Sequence, residues 1–325
     1  MQSRFSLSVM AAALGLALTL ASQAASAQDS TSTVTVTQQG NGNTSHAEQT
    51  TGVYDFNNVT STITQIGNHN HVGGPGSTTG GLLQLNSGGN IDVQIRQTGT
   101  GNNAGLTQID VLGLTFPVTG EITQVGSNNT ATLQQTRVSD ISAVLVQNGS
   151  GNSAAAAQEE SGPSTIRITQ NGNDNSATVD QRDSGYGGPT ILQEGDGNAA
   201  SEVVDNALFG AARIEQTGTA NYAGTRQTNT EFSDIRVAQA GSGNHAEASQ
   251  NDGAFQVTDI DQNGIGNVAS VRQTGLNSGI AVTGNSAIVA QLGNSNTAIV
   301  RQVGDGYVAN VNQVGANNYT KIYQH

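Results

Sequence analysis

The sequence predicts an all-β protein, a β-solenoid of about twelve stacked strand-turn-strand coils with the cross-β geometry of amyloid. Two observations lead to this prediction. One motif, Gln-x-Gly-x-x-Asn-x-Ala-x-x-x-Gln, recurs between Gln38 and Gln324, most often every 23 residues. Apolar residues also alternate with polar ones on both sides of the motif, and a period of two is typical of β-strands.

The motif defines columns of identical residues, one member per coil. In all 12 repeats Gly follows the leading Gln by two positions and Asn follows it by five. The seventh position is Ala except at Ser45, Val72 and Thr320, and the eleventh is Gln except at Gly76 and Val204. The leading Gln residues are Gln38, Gln65, Gln97, Gln124, Gln147, Gln170, Gln193, Gln216, Gln239, Gln262, Gln291 and Gln313. The Asn residues are Asn43, Asn70, Asn102, Asn129, Asn152, Asn175, Asn198, Asn221, Asn244, Asn267, Asn296 and Asn318. The turn glycines are Gly40, Gly67, Gly99, Gly126, Gly149, Gly172, Gly195, Gly218, Gly241, Gly264, Gly293 and Gly315.

Each motif is flanked by the pattern of two strands. The residue two positions before the leading Gln is always Val, Ile or Leu. After the Asn the alternation continues, so that Asn129, Ala131, Leu133 and Gln135 share one face. Gly and short polar runs between the strands tolerate positive φ and allow tight reversals. One coil is therefore strand, turn, strand, turn.

The Gln and Asn columns are predicted to face the interior as structural ladders. A buried amide must be hydrogen-bonded, and an identical amide one coil above and one below supplies a donor and an acceptor. Each such bond contributes about 1 kcal/mol net, and the same ladders stabilise cross-β assemblies.

Irregularities in spacing mark the places where the regular coil is interrupted. Extra residues near 50–58, 73–81, 110–117 and 274–284 are predicted to bulge from one row of turns. The seventh coil is predicted to be the weakest. Its Pro189 and Glu202 occupy inward positions, and Val204 replaces its second Gln.

Composition excludes several classes of function. Hydrophobic residues make up only 34% of the chain and aromatic residues 4%, which is low for a globule of 325 residues. The absence of Cys excludes disulfides, thiol catalysis and Cys-ligated metals. The net charge of −13 disfavours nucleic acid and anionic membranes as partners.

Residues 1–27 are predicted to be a secretory signal peptide, which leaves a mature chain of 28–325 with coils from about 32 to 324. Arg4 supplies the positive start, residues 9–20 the short apolar run, and residues 25–27 the small-residue cleavage site. The apolar run is too short for a membrane anchor. We therefore expect a secreted, extracellular protein without membrane insertion.

The polar residues outside the motif include a few candidate metal-binding and acid–base side chains. His69 and His71 lack a recurring third ligand, and Asp196 lies in a turn column without the repeated Asp that calcium repeats need. Asp259 and Asp261 are predicted to lie on an outward face, where Arg236 is the neighbour of Asp259 in one column. We expect no catalytic residue, no metal, no cofactor and no enzymatic activity.

An outward Thr ladder would indicate a solenoid that binds ice or carbohydrate. Thr35 with Thr37 and Thr62 with Thr64 fit this pattern in the first two coils. Later coils carry charged residues at the same positions, so the ladder does not persist.

The motif, as in Gln97-Thr98-Gly99 with Asn102, Ala104 and Gln108, resembles the curlin repeat of curli fibre subunits. The resemblance covers residues 32–324 and is greatest to the major subunit. It implies an extracellular functional amyloid that forms biofilm-matrix and adhesion fibres at the cell surface. It also implies a nucleator subunit and a dedicated outer-membrane secretion pore as partners. The Gly-rich segment that precedes the repeats in that family has no counterpart here.

The terminal coils favour a homopolymer over a solitary solenoid. Both keep the full Gln, Gly and Asn set, whereas monomeric repeat proteins carry atypical polar caps. Open strand edges with matching columns invite another copy of the same chain, stacked end to end. The alternatives are a secreted monomeric β-solenoid binding module, such as an adhesin or an ice- or carbohydrate-binding protein, and a curli nucleator subunit.

Overall fold

The computed structural model confirms the predicted fold class, an all-β solenoid of about 12 turns built from parallel strands. It describes residues 4–11, 16–21, 31–51, 57–73, 78–275 and 283–325. Within those ranges, no helix has the length and apolar character needed to cross a membrane.

From β3 onward the strands alternate between the two rows of the solenoid, except that β6 and the first residues of β7 lie in one row and β7 then continues into the other. Their bounds are β1 Arg4–Ala11, β2 Leu16–Ala21, β3 Thr31–Gln39, β4 Asn43–Thr51, β5 Asn57–Asn68, β6 His71–Val72, β7 Leu82–Thr100, β8 Asn103–Ile109, β9 Leu112–Ser127, β10 Thr130–Thr136, β11 Ser142–Ser150, β12 Ser153–Glu159, β13 Thr165–Asn171, β14 Ser176–Arg182, β15 Thr190–Asp196, β16 Ala199–Leu208, β17 Ala211–Thr219, β18 Tyr222–Glu231, β19 Asp234–Ser242, β20 His245–Ala254, β21 Val257–Ile265, β22 Val268–Thr274, β23 Ser286–Asn294, β24 Thr297–Val303, β25 Val308–Ala316 and β26 Tyr319–Gln324.

The chain divides into two compact units, Met1–Ile168 and Thr169–His325. The first holds the coils led by Gln38 to Gln147, and the second holds those led by Gln170 to Gln313. Both units are built from the same type of coil.

Strands of successive coils pair in parallel and in register, so identical residues fall beside each other. Gln239 pairs with Gln262 and Gly241 with Gly264 in one sheet. In the other sheet, Ala246 pairs with Ala269. The register follows from the period of two, because a slip by one residue would turn the apolar face of a strand towards water.

The core of each coil is thin and consists mainly of Ala, Val and Ile, with Leu in a few coils. The apolar residue two positions before each leading Gln is at most 3% exposed in all 12 coils, from Val36 to Val311. The opposite sheet contributes mostly Ala, such as Ala131 and Ala246, both fully buried. The predicted inward face of these strands is therefore confirmed.

One assignment in the second coil is wrong. Gly76 is not the counterpart of the second Gln, because Gln84 pairs with Gln49 on one side and with Gln108 on the other. The extra residues after Val72 interrupt the strand, which resumes at Leu82 opposite Ala47. A fixed count of residues from the leading Gln fails here because the insertion lies within the repeat.

The four insertions consequently do not share one row of turns. Those near 50–58, 110–117 and 274–284 follow the second Gln of their coils in the sequence, and β9 begins within the second of them, at Leu112. The insertion at 73–81 lies between β6 and β7, within the second strand of its coil. Parts of three insertions, residues 52–56, 74–77 and 276–282, fall outside the described ranges.

The proposed signal peptide contains two strands that pair with the first coil. β2 runs antiparallel to β3, with Leu18 opposite Val36, and β1 runs antiparallel to β4, with Leu7 opposite Ala47. The proposed cleavage site at 25–27 lies outside the described residues. In the uncleaved chain these strands occupy an edge that the rest of the solenoid leaves open.

Candidate functional site

The leading Gln side chains form a continuous row of hydrogen bonds within each unit. In each pair the side-chain amide donates to the Gln Oε1 of the following coil, over 2.6 to 2.9 Å. In most coils the same Nε2 also donates to a backbone carbonyl of the opposite sheet, as in Gln193 to Ser176 O at 3.0 Å, and in the first coil Gln38 donates to the Ser45 hydroxyl at 3.3 Å. Each Gln therefore ties two coils and two sheets together.

The second Gln residues form a parallel row with one interruption in the second unit. Their amides donate to the next Oε1 over 2.6 to 3.1 Å. Val204 lies between Gln181 and Gln227 in this column and offers no amide. Gln227 Oε1 is consequently buried without a hydrogen-bond partner.

The Asn ladder runs in the opposite direction. In nine coils the Asn Nδ2 donates to the Oδ1 of the Asn one coil earlier, over 2.9 to 3.3 Å. It also donates to the carbonyl oxygen of the turn glycine one coil later, over 2.6 to 3.1 Å. The two ladders give the coil stack a defined polarity.

The polarity leaves different groups at the two terminal coils. At the first coil, Gln38 Oε1 is buried and has no hydrogen-bond partner. At the last coil, Gln313 Nε2 donates to Thr297 O at 2.9 Å and to the Thr320 hydroxyl at 3.1 Å. The Thr320 hydroxyl thus takes the bond that a following Gln Oε1 accepts in earlier coils.

The turn glycines are required by close contact as well as by conformation. All 12 have φ between +106° and +134°. A Cβ on Gly99 would lie 1.9 Å from the carbonyl oxygen of Gly126, and the other glycines followed by a coil of the same unit give 1.9 to 2.1 Å. Gly315 in the last coil differs, because its Cβ would meet nothing closer than Asn318 Nδ2 at 3.7 Å.

Glu202 is a defect in the core of the seventh coil, as the sequence indicated. It is fully buried between Val179 and Thr225 of the neighbouring coils, and neither carboxyl oxygen has a hydrogen-bond partner. Burial raises the pKa of the Glu202 carboxyl well above its ordinary value. Pro189 of the same coil is also buried.

A column of exposed aromatic rings in the second unit was missed by the sequence reasoning. Tyr186, Phe209, Phe232 and Phe255 follow one another at intervals of 23 residues. Their ring centroids are 4.8, 5.0 and 5.2 Å apart, and adjacent ring planes are inclined by at most 11°. The period was visible in the sequence, but these residues lie in the turns, outside the motif used to find inward positions.

The aromatic rings are not needed for the turn conformation. All four residues have φ between +48° and +57°, which costs roughly 1–2 kcal/mol for a residue with a Cβ. Asp140 adopts φ +54° at the equivalent position of an earlier coil without a ring. Each stacked pair returns about 0.5–1.5 kcal/mol, so stacking offsets part of the strain.

A polar ladder runs beside the aromatic column. Asn206 Nδ2 donates to Asn229 Oδ1 at 2.9 Å, and Asn229 Nδ2 donates to Asp252 Oδ1 at 3.0 Å. Each of these residues precedes a ring of its own turn by three positions. In these coils a row of aromatic rings and a row of hydrogen-bonded amide and carboxylate side chains therefore run side by side, each with one member per coil.

The candidate metal-binding and acid–base residues do not gather into one site. Among the described residues, no three His, Cys, Asp or Glu side chains are grouped so that they could hold a metal ion. His71 Nδ1 is 2.7 Å from the Thr44 hydroxyl, and burial, with a smaller effect of His69, lowers the His71 pKa. Arg236 pairs with Asp259 at 2.9 Å as predicted, with both side chains over 40% exposed, so the pair adds little stability.

The structure also shows the positions of Asp196 and of the Thr pairs in the first two coils. Asp196 Oδ1 accepts hydrogen bonds from Asn173 in the turn one coil earlier. Thr35 and Thr62 lie side by side, as do Thr37 and Thr64, in outward positions of the first two coils.

Comparison with known protein families and with curated proteins gives no match to this chain. The fold and the geometry of its columns are therefore the basis for a functional assignment.

Proposed function

We propose that the protein is a structural subunit of extracellular fibres, of the functional-amyloid type, which grow by end-to-end stacking of its coils. The observation that carries the proposal is the polarity of the amide ladders. Gln38 Oε1 at the first coil lacks a donor, and Gln313 at the last coil has an amide whose following Gln is replaced by a hydroxyl.

The two ends are complementary in one arrangement only. If the first coil of one copy follows the last coil of another, Gln313 donates to Gln38 and the Asn43 backbone N–H meets Asn318 Oδ1. These are the bonds made between coils inside the chain, as in Gln291 to Gln313 and the Asn318 N–H to Asn296. Two first coils placed face to face would oppose acceptor to acceptor. The ladders therefore favour head-to-tail growth.

The wider setting follows from the sequence. The signal peptide and the curlin-like motif support secretion, fibres at the cell surface, and a role in biofilm matrix and adhesion. A nucleator subunit and a dedicated outer-membrane pore are the partners proposed on the same basis. The role is structural, without enzymatic activity or cofactor.

The direct test is assembly of the purified chain lacking residues 1–27. We expect fibres after a lag, with diffraction near 4.8 Å and ~10 Å, the spacings of strands and of packed sheets. A chain that remains monomeric at high concentration, with and without seeds, would instead favour a solitary binding module.

Paired lysine substitutions test whether the terminal coils are covered in the fibre. Val36 and Val311 are buried, whereas Thr37 is half-buried and Asn312 exposed. A terminal coil of the monomer is covered on one side only and can fray to expose an inward lysine, whereas a stacked coil must hold that charge against its neighbours' apolar column. Val36→Lys with Val311→Lys should therefore nearly stop seeded elongation. Thr37→Lys with Asn312→Lys should slow growth modestly, with relief by salt. Equal inhibition by both pairs would contradict the register, and no inhibition by either would contradict stacking.

A further inference from the structure

The aromatic column defined by Tyr186, Phe209, Phe232 and Phe255 is an apolar surface with no role within the coil. The four side chains are 46 to 61% exposed, although they are among the largest apolar residues of the chain. Each inner ring is stacked on both faces, so what it presents to water is chiefly its edge. The column is thus a row of ring edges at the spacing of the coils.

The exposed area is too small for a stable partner in the monomer. An aromatic ring that is half exposed offers about 100 Å², so the column offers about 400 Å². A stable complex buries about 800 Å² on each side. In a fibre, however, every subunit contributes one column, and contacts between two fibres add up along their length. The surface is therefore suited to fibres and not to isolated chains.

We infer that this column is the lateral contact through which one fibre pairs with another, so that its partner is a second copy of the same column. The inference rests on the proposed fibre function. The repeat distance favours this occupant, because only an object built with the same coil spacing matches the rings along the whole column. The strand repeat of a peptide lying along the column, about 3.3 Å per residue, does not match 5 Å rings.

Charge makes the pairing dependent on salt. Asp183, Glu231, Asp234 and Asp252 lie within three residues of a ring of the column in the sequence. The nearest Arg residues in the sequence, Arg182 and Arg213, are paired with Asp180 and Glu215. Two columns brought together would place these four carboxylates opposite one another, and the negative charges would repel. Salt weakens this repulsion, because the Debye screening length is only about 10 Å at 0.1 M. Pairing is expected to strengthen as salt is raised, whereas a contact made by ion pairs would weaken.

The test is to remove the two inner rings without disturbing the turn. Asn tolerates φ near +50°, so Phe209→Asn with Phe232→Asn preserves the backbone. Fibres of this variant should elongate from seeds at the wild-type rate but remain single in electron micrographs and in low-speed sedimentation. Wild-type fibres should pair, and should do so increasingly from low to high salt.

A matched control removes the same number of exposed apolar residues elsewhere. Ile265 and Leu292 lie on neighbouring strands of one sheet, away from the terminal coils, and are 60% and 53% exposed. Ile265→Asn with Leu292→Asn should leave pairing intact. Persistent pairing of the Phe variant, equal loss in the control, or single wild-type fibres at all salt concentrations would each overturn the inference. Loss of elongation in the Phe variant would also overturn it, since the rings would then belong to the stack. Failure of wild-type chains to form any fibre would contradict the proposed function itself.

Discussion

Gly315→Ala should block fibre growth while leaving the soluble chain folded. In the isolated chain the new Cβ has free space, and the strain of φ +107° costs about 1–2 kcal/mol in the last turn. In a head-to-tail stack the following coil would belong to the next copy. The geometry inside the chain then places the Cβ about 2.0 Å from the carbonyl oxygen of that copy's Gly40, as for Gly293 and Gly315.

The size of the clash follows from the contact distances. Ordinary contact with a Cβ begins near 3.4 Å, so the incoming copy must retreat by about 1.4 Å. Backbone hydrogen bonds between coils, such as Thr297 N to Asn318 O at 2.8 Å, would lengthen to about 4.2 Å and be lost. A single methyl group at residue 315 thus prevents the backbone hydrogen bonds between the last coil of one copy and the first coil of the next.

Seeded growth of the chain lacking residues 1–27 measures the effect. The Gly315→Ala chain alone should form no fibres, and in small amounts it should stop wild-type growth at one fibre end only. Gly243→Ala is the control, because Gly243 also has positive φ, +64°, and nothing lies within 4 Å of its Cβ. Circular dichroism checks that both variants fold. Wild-type fibre growth by Gly315→Ala would refute stacking through the glycine column.

Three other outcomes are expected. For Glu202, the unfolded carboxyl ionises near 4.5 while the buried one has a raised pKa, so wild-type stability should fall by up to about 1.4 kcal/mol per pH unit above 4.5. In urea unfolding, Glu202→Gln should abolish this dependence of stability on pH, and the exposed Glu194→Gln should keep it. If Glu202→Gln leaves the dependence unchanged, the Glu202 carboxyl reaches water. Val204→Gln should give Gln227 Oε1 its missing donor and raise stability by about 1 kcal/mol; no change in the urea midpoint would contradict the ladder repair. A chain that keeps residues 1–27 should elongate more slowly than the cleaved chain, since β1 and β2 pair with the first coil; equal rates would show that these strands leave readily.

The inward columns could be predicted from the sequence because a buried position in a stack allows few residue types. Val, Gln, Gly and Asn recur where every coil has the same neighbours, so a count of residues locates them. The count failed at Gln84, where an insertion interrupts the strand and only the pairing with Gln49 and Gln108 restores the assignment.

Other features depend on geometry that residue types do not reveal. The direction of each amide depends on which neighbouring carbonyl its second hydrogen reaches, as in Gln193 to Ser176. The sequence therefore predicts the ladders but not that Gln and Asn run in opposite directions. The aromatic column has the same 23-residue period, yet a turn residue has no fixed inward or outward alternation, and only the structure shows Phe209 and Phe232 stacked.

Because identical residues pair in register, each coil presents the same hydrogen-bonding groups to the coil before it and to the coil after it. Gln239 meets Gln262 as Gln262 meets Gln291, although an insertion makes the second interval longer along the chain. A chain that gained or lost one whole coil would keep the same acceptor at its first coil and the same donor at its last. The number of coils thus sets the length of the subunit, while the chemistry by which one copy joins another is independent of that length.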